Sequence, residues 1–496
     1  MAAGNLPREV CGRIRYRYPM SSLLTQHTLI LCAHLLIAGV AASHALLTKR
    51  DPRSAWGWIA VCWLFPLAGA MLYWIFGVNR IHTLAQRRVG ASPTPTPTEL
   101  RELPAALRGN GDRGDEQRLL ELVRIGQAMT GRDLTAGNRI EPLHNGEQAY
   151  PAMLEAIAAA RHSIDLVSYI YRSGQVGSDF AEALAAAQKR GVHVRVLLDG
   201  VADAYYLPRA SRLLRRHGLR PRLFLPIRLL PPMLHINLRN HRKLLLVDGV
   251  LAFAGGMNIA DHHLMKRARG PRVQDLHFRI EGPVLQQLAQ VFNEDWKFAT
   301  GEDSAEPQPP AAIGAAAARV ITDGPNEDLD KLLMVLLGAF AAAHHRIWIM
   351  TPYFIPSASL VAALQSAALR GVDVSIVLPE KSDQPWINWA TNNYLASLLR
   401  RHVRVFLQPP PFAHTKLLLI DDDYLQLGSA NLDNRSMRLN FELVVEAFDP
   451  ALVARLADAF ARTVAQSKAL SLEQIRARRL PQRFRDALCW LFSPYL

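Results

Sequence analysis

Cysteine is almost missing from this chain of 496 residues: only Cys11, Cys32, Cys62 and Cys489 occur. Four thiols cannot staple a chain of this length, so a disulfide scaffold is excluded. No two of them stand as Cys-x-x-Cys, which argues against a structural zinc site. Lysine is nearly as scarce, with nine against 48 arginines. Acidic residues are in deficit, 43 against 57 basic ones, leaving a net charge of +14. That excess points to an anionic partner: nucleic acid, an anionic lipid surface or a phosphate-bearing substrate. No Gly-Lys dipeptide occurs, so there is no P-loop. Glycine (30) and proline (31) are at ordinary frequency, which excludes a collagenous or low-complexity chain. With half its residues apolar and 20% charged, the chain is of the folded class. Its length suggests roughly two to four domains.

Charge is also absent locally. No charged residue lies between Arg17 and Lys49, nor between Arg53 and Arg80. The second gap holds the apolar run Trp58–Val78, with Trp56 and Trp58 at one end and Tyr73 and Trp74 at the other. About 20 helical residues cross a ~30 Å hydrocarbon core, and aromatic residues favour its two interfaces. The first gap carries Gln26, His27, His34 and His44, and its best stretch is Thr28–Leu47. A signal peptide is the rival there, but a processed signal peptide is not followed at once by a second spanning segment. The prediction is a transmembrane hairpin over residues 22–79, with spans near 28–47 and 58–78, after a basic segment 1–21. Arg8, Arg13, Arg15, Arg17, Arg80, Arg87 and Arg88 lie outside it, against Lys49, Arg50 and Arg53 in its loop. This bias places both ends in the cytoplasm.

Ser92–Thr98 reads SPTPTPT, a stiff extended spacer within a linker of residues 80–118. A second break, Gly301–Ala318, reads GEDSAEPQPPAAIGAAAA and is expected to be an interdomain linker. The two sides of it repeat. IDLVSYIY at 164–171 answers IWIMTPYF at 347–354, and each is followed by an Ala-rich amphipathic stretch, Arg-Gly-Val and an apolar strand. That order predicts an α/β unit occurring twice, over residues 119–300 and 319–467. A basic segment, 468–496, ends in Trp490, Leu491 and Phe492; it lies on a membrane surface or packs on the domain.

One motif carries chemistry. His241-x-Lys243-x4-Asp248 is followed by Gly255-Gly256-Met257-Asn258, and His414-x-Lys416-x4-Asp421 by Gly428-Ser429-Ala430-Asn431, at a constant offset of 173 residues. Two of the nine lysines occupy this position in a chain that otherwise uses arginine. A compact ammonium there, rather than a planar fork, suggests a geometric need. In an extended segment, residues i and i+2 share a face, so each His and its Lys point the same way. Two such units face to face offer two imidazoles, two ammonium groups and two amides to a phosphate diester. One His attacks phosphorus while the other protonates the leaving oxygen, and the lysines and asparagines hold the non-bridging oxygens. The lysines supply the positive charge, so no metal or other cofactor is called for. Adjacent His262 and His263 are poorly placed to share an ion.

The paired motif resembles that of the phospholipase D superfamily. With NLRNHRKLLLVDG, FAGGMNIAD, RIEGPV, TPYFIP, RGVDVSIVLPEKSD, GSANLDNRSMRLNFE and the apolar segments in front, nearly the whole chain resembles bacterial cardiolipin synthases of that superfamily. The resemblance implies two phospholipase D-like α/β half-domains behind a transmembrane hairpin, in the bacterial inner membrane, with the catalytic part on the cytoplasmic side. It implies that His241 forms a phosphatidyl-histidine and that His414 is general acid, then base, although the residues alone do not say which His attacks. Asp248 and Asp421 would support the motifs, and the downstream acids Asp275 and Glu442 would orient the histidines. The first motif has Gly256 where the second has Ser429, so one hydroxyl is missing. The implied reaction turns two phosphatidylglycerol molecules into cardiolipin and glycerol. A phospholipase D-type hydrolase uses the same chemistry with water as acceptor. A nuclease is the weaker rival, since the apolar segments and the lack of an aromatic-basic strand-tracking pattern speak against nucleic acid.

Overall fold

The structure, a computed structural model, describes residues 20–49, 52–65, 67–78, 113–227, 238–266, 270–325 and 330–493. The chain divides into two compact units, Met1–Leu84 and Ala85–Leu496. The predicted segment 1–21 and most of the linker 80–118 lie outside the described residues.

In the first unit, helix α1 (Met20–Thr48) contains the apolar stretch His27–Thr48, long enough by itself to cross a bilayer. The second predicted span is not one continuous helix. Helix α2 (Pro52–Leu64) ends, α3 (Ala68–Leu72) begins anew, and a π-helical turn, Tyr73–Gly77, follows. The break brackets Pro66, a residue that cannot donate to a helix ladder and disfavours helical geometry before it. Ala38, Ala41, Ala45, Cys62, Ala70 and Tyr73 form the buried contact of these helices. The four alanines let the helices approach closely. A Cβ on Gly69 would stand 2.1 Å from the Val61 carbonyl oxygen, so only glycine fits there. Two histidines within the apolar segment are paired: His44 Nδ1 lies 2.6 Å from the Tyr73 hydroxyl, and the Leu67 amide donates to His34 Nδ1 at 3.3 Å.

The second unit is built on one 16-stranded sheet and two separate two-stranded pairs. Its first half supplies β1 (Thr135–His144), β2 (Ser163–Ser168), β3 (His193–Asp199), β4 (Arg222–Phe224), β5 (Arg239–Asn240), β6 (Leu244–Val247), β7 (Leu251–Gly255), β8 (Val273–Gln274) and β9 (Leu276–Glu281). The second half supplies β10 (Ala316–Asp323), β11 (Arg346–Met350), β12 (Phe354–Ile355), β13 (Asp373–Pro379), β14 (Arg404–Gln408), β15 (Phe412–Ala413), β16 (Leu417–Ile420), β17 (Tyr424–Gly428), β18 (Leu432–Asp433), β19 (Asn440–Phe448) and β20 (Lys468–Ala469). The order β4-β3-β2-β6-β7-β9-β1 of the first half is repeated as β14-β13-β11-β16-β17-β19-β10 in the second, with β20 added at its edge. The halves join through the antiparallel pair β1–β10, where Thr135 faces Ala318. The motif strands β6 (LLLV) and β16 (LLLI) are wholly buried, as their unbroken apolar runs require. One hydrophobic core crosses the join, with Ile140, Leu244 and Phe278 of one half packed with Val320, Leu417 and Val445 of the other.

Three boundaries move. The predicted linker end, 118, lies inside helix α4 (Arg113–Thr130). Leu119, Leu120 and Val123 of α4 pack in the second half's core with Leu332, Val335 and Phe340, and Arg118 Nη1 lies 3.4 Å from Asp421. The tract Ala316–Ala318, read as linker, is the buried start of β10. Alanine runs carry no apolar period, yet a strand at the join of two halves needs small side chains. The C-terminal segment also joins the fold, since β20 pairs with β14.

Candidate active site

Each catalytic histidine directly follows a two-residue strand of its own half that pairs with a strand of the other half. Parallel pairing of β5 with β19 sets Asn240 beside Phe441, so the next residues, His241 and Glu442, meet. Parallel pairing of β15 with β8 sets Ala413 beside Gln274, so His414 meets Asp275. Backbone bonds lock both registers: the His241 amide donates to the Phe441 carbonyl at 3.0 Å, and the His414 amide to the Gln274 carbonyl at 2.7 Å. His241 Nδ1 is 3.0 Å from Glu442 Oε2, and His414 Nδ1 is 2.8 Å from Asp275 Oδ2. The orienting acids thus act crosswise, each on the histidine of the other half. An ionised carboxylate only accepts, so each Nδ1 carries the proton and each Nε2 keeps its lone pair.

The lysines stand beside their histidines, as the i, i+2 spacing predicts. Lys243 Nζ donates to the His241 carbonyl at 2.5 Å, and Lys416 Nζ to the His414 carbonyl at 2.8 Å. All four side chains are buried. Burial, the largest influence, drives the Lys243 ammonium down to about 7 and Lys416 to about 8. Burial likewise takes His241 down to about 4, although Glu442 opposes it. Burial and then the two lysines hold His414 well below the usual imidazole range. The imidazoles are therefore neutral at pH 7. Burial alone would push the Glu442 carboxyl up, but His241, Lys243 and Ser429 outweigh it and hold it below the usual range. Asp275 goes the other way, pushed up by burial.

Asymmetry at the second glycine position has a steric cause. A Cβ on Gly256 would stand 2.5 Å from Asp275 Oδ1. Ser429 instead donates its hydroxyl to Glu442 Oε2 at 2.5 Å; glutamate is one methylene longer, which leaves room for it. Asn258 Oδ1 accepts from the Ile170 amide at 3.1 Å, and Asn431 Oδ1 is buried with no hydrogen-bond partner among the described residues. The motif aspartates lie at the far ends of their strands. Asp248 takes the amides of Arg161, His162 and Ser163 at 2.7–2.9 Å. Asp421 takes those of His344, His345 and Arg346 at 2.7–3.0 Å. Both sit at positive φ, 52° and 49°. These carboxylates are spent on turning the chain into β2 and β11, so they position the motif strands rather than meet the reacting group.

Sequence models of known families agree with this architecture. The family described as "Cardiolipin synthase, PLD-like domain" matches residues 153–296 and 336–464, and "Phospholipase_D-nuclease N-terminal" matches 36–77. The chain belongs to the cardiolipin synthase family of the phospholipase D superfamily. Cardiolipin synthase A of Klebsiella pneumoniae is 32% identical, covering 93% of this chain and 96% of that protein. The major cardiolipin synthase ClsA of Bacillus subtilis is 29% identical, covering 90% and 95%. Among solved structures, phosphatidylserine synthase of Haemophilus influenzae superposes with a TM-score of 0.61 at 16% identity, covering 76% of this chain and 100% of its own. That likeness concerns the fold.

This member of the cardiolipin synthase family also has supports that motif reading missed. Arg242, between the catalytic pair, is buried; it donates to Asp295 Oδ1 at 2.6 Å and to the Glu442 carbonyl at 3.1 Å. Asp295 also accepts from Asn240 Nδ2 at 2.8 Å. Asp199 accepts the Asn240 amide at 2.9 Å. These bonds fix β5 from both sides. The Tyr169 ring lies 4.7 Å from that of His241, and the Tyr353 ring 6.2 Å from that of His414. His263 is a structural residue: its Nε2 accepts the Asn258 amide at 3.3 Å, and its Nδ1 lies 3.3 Å from the Val273 carbonyl. A charged residue inside H-x-K was the one sequence signal for Arg242; nothing in the sequence links it to Asp295.

Proposed function

We propose that the chain is a membrane phosphatidyltransferase that makes cardiolipin and glycerol from two phosphatidylglycerol molecules. The observation that carries this reading is the pair of reciprocal His–carboxylate dyads, each beside a buried lysine. A phosphate diester between them has a nucleophile on one side and a proton donor on the other. Binding of the anionic diester favours the imidazolium form of His414; His241 Nε2 then attacks phosphorus, and the P–O bond to glycerol breaks as His414 delivers its Nε2 proton to that oxygen. The phosphatidyl group is then held on His241. The terminal hydroxyl of a second phosphatidylglycerol gives its proton to His414 and its oxygen to phosphorus, and the P–N bond breaks. Lys243 and Lys416 hold the non-bridging oxygens with the Asn258 and Asn431 amides, which lowers the barrier as charge develops. Asp275, on His414 Nδ1, holds the tautomer that leaves Nε2 to carry the proton moved in the acid–base role. The held-down Glu442 suits His241 to attack, since an ionised acceptor fixes the Nδ1–H tautomer. One diester replaces another, so no nucleotide is required.

The apolar helix α1 and the α2–α3 pair form the membrane anchor in this reading, as a hairpin with both ends in the cytoplasm and the second unit on that side of the inner membrane. The arginine bias around it supports that orientation. Incubation of the purified protein with labelled phosphatidylglycerol alone tests the assignment. Cardiolipin and glycerol in equal amounts are expected. Phosphatidic acid and glycerol as the main products would make the protein a hydrolase.

A further inference from the structure

The C-terminal helix, Leu480–Leu491, is built inside out. Its docked side is mostly polar, with Cys489 the apolar contact. Asp486, 2% exposed, accepts from Asn392 Nδ2 at 3.3 Å and pairs with Arg478 at 2.8 Å and Arg485 at 2.9 Å. The Asp486 carbonyl accepts from Asn393 Nδ2 at 2.9 Å, and the Ser493 carbonyl from Asn434 Nδ2 at 3.2 Å. Its outer side is apolar. Leu480, Phe484, Leu488 and Leu491 recur at helical spacing and are 76, 74, 49 and 65% exposed. A surface helix of a globular unit normally turns such a stripe to the core. This one is held by its polar side and presents the stripe outward.

Two observations say what covers it. Arg476, Arg478, Arg479, Arg483 and Arg485 crowd the same segment, and the only acid between residues 476 and 492 is Asp486, itself ion-paired. An apolar stripe edged by arginines matches the headgroup–acyl boundary of an anionic bilayer. The helix also borders the active site: Cys489 packs with the cluster of Tyr353, Ile355, Ile387 and Ala390, and the Tyr353 ring is 6.2 Å from His414. We propose that this helix lies in the surface of an anionic bilayer, a second membrane contact that holds the catalytic unit against the lipid it consumes. The importance for turnover rests on the phosphatidyltransferase reading; the membrane contact itself does not.

The full-length protein in vesicles of phosphatidylglycerol and phosphatidylcholine provides the test. Brominated phosphatidylglycerol should quench Trp490, read as the difference between wild type and Trp490→Phe. The double variant Phe484→Glu/Leu488→Glu should lose that quenching. It should also lose activity on vesicle lipid by roughly tenfold or more, as loss of a tethering contact does. Its activity on short-chain phosphatidylglycerol dispersed in detergent should match wild type, which shows the fold to be intact. Absence of quenching in the wild type would overturn the proposal, whatever reaction the protein catalyses. So would equal activity of wild type and variant on vesicles, or a variant that turns a dimer into a monomer without any bromolipid effect, which would assign the stripe to a second copy.

Discussion

Asp275→Asn should disable His414, not the His241 with which Asp275 shares a half-domain. The carboxylate is 2.8 Å from His414 Nδ1. A hydrogen bond to a charged group contributes about 1.5–3 kcal/mol, or about 10- to 150-fold in rate. An amide can also donate to Nδ1 and select the wrong tautomer, which raises the loss toward ~10⁴-fold. The assay that separates the two histidines uses a phosphatidyl ester of p-nitrophenol, whose leaving group departs without a proton. With that substrate Asp275→Asn should release a burst of nitrophenol close to one equivalent per enzyme and then stall, because the acceptor hydroxyl still needs His414 as base. Glu442→Gln, acting on the attacking histidine across 3.0 Å, should show no burst. On phosphatidylglycerol both variants should be impaired alike. If Asp275→Asn behaves like His241→Ala and Glu442→Gln like His414→Ala, the crosswise pairing is wrong.

Other expectations follow from the same geometry. The alkaline limb of kcat/KM should fall near pH 7–8, since the free enzyme loses the Lys243 charge near 7 and that of Lys416 near 8; bound phosphate favours the ammonium form, so the limb of kcat should lie at higher pH, and a flat kcat/KM from pH 6 to 9 would refute this. Lys243→Arg and Lys416→Arg should each lose most activity, because an extended fork does not fit a buried ammonium site; silent substitutions would reduce the lysines to generic charge. Asp295→Ala should destabilise the second unit by about 3–5 kcal/mol in denaturant unfolding, because it removes the carboxylate paired with the buried Arg242 guanidinium. Cardiolipin with excess glycerol should regenerate phosphatidylglycerol without nucleotide, each tenfold rise in glycerol adding about 1.4 kcal/mol of driving force; phosphatidic acid alone would favour the hydrolase.

The motif and its repetition were legible because both reactive residues and their strands lie within a few residues of one another. Constant spacing exposed the two halves, and the unbroken LLLV and LLLI runs exposed the buried strands that follow each lysine. Asp275 and Glu442 were recognised as orienting acids, but not which histidine each serves. That depends on two-residue strands, β5 on β19 and β15 on β8, whose pairing joins positions 201 and 139 residues apart. Strands this short leave no periodic signal. The same blindness hid the α4 helix, which packs on the second half although it precedes the first. It also hid Ala316–Ala318, whose small side chains read as linker composition but serve a crowded sheet join. The break between Leu64 and Ala68 had a proline in the sequence as its signal, but the hydropathy of the run read as one continuous span.

The sheet join has a consequence for biosynthesis. A ribosome releases β1 some 180 residues before its partner β10, so the first half waits with an open edge. During that wait His241 has no carboxylate and Asp275 has no imidazole, because their partners are not yet made. A half-synthesised chain therefore carries neither completed His–carboxylate pair. Reactivity arrives only when the last long strand, β19, closes beside β10, so completion of folding and arming of the enzyme are one event.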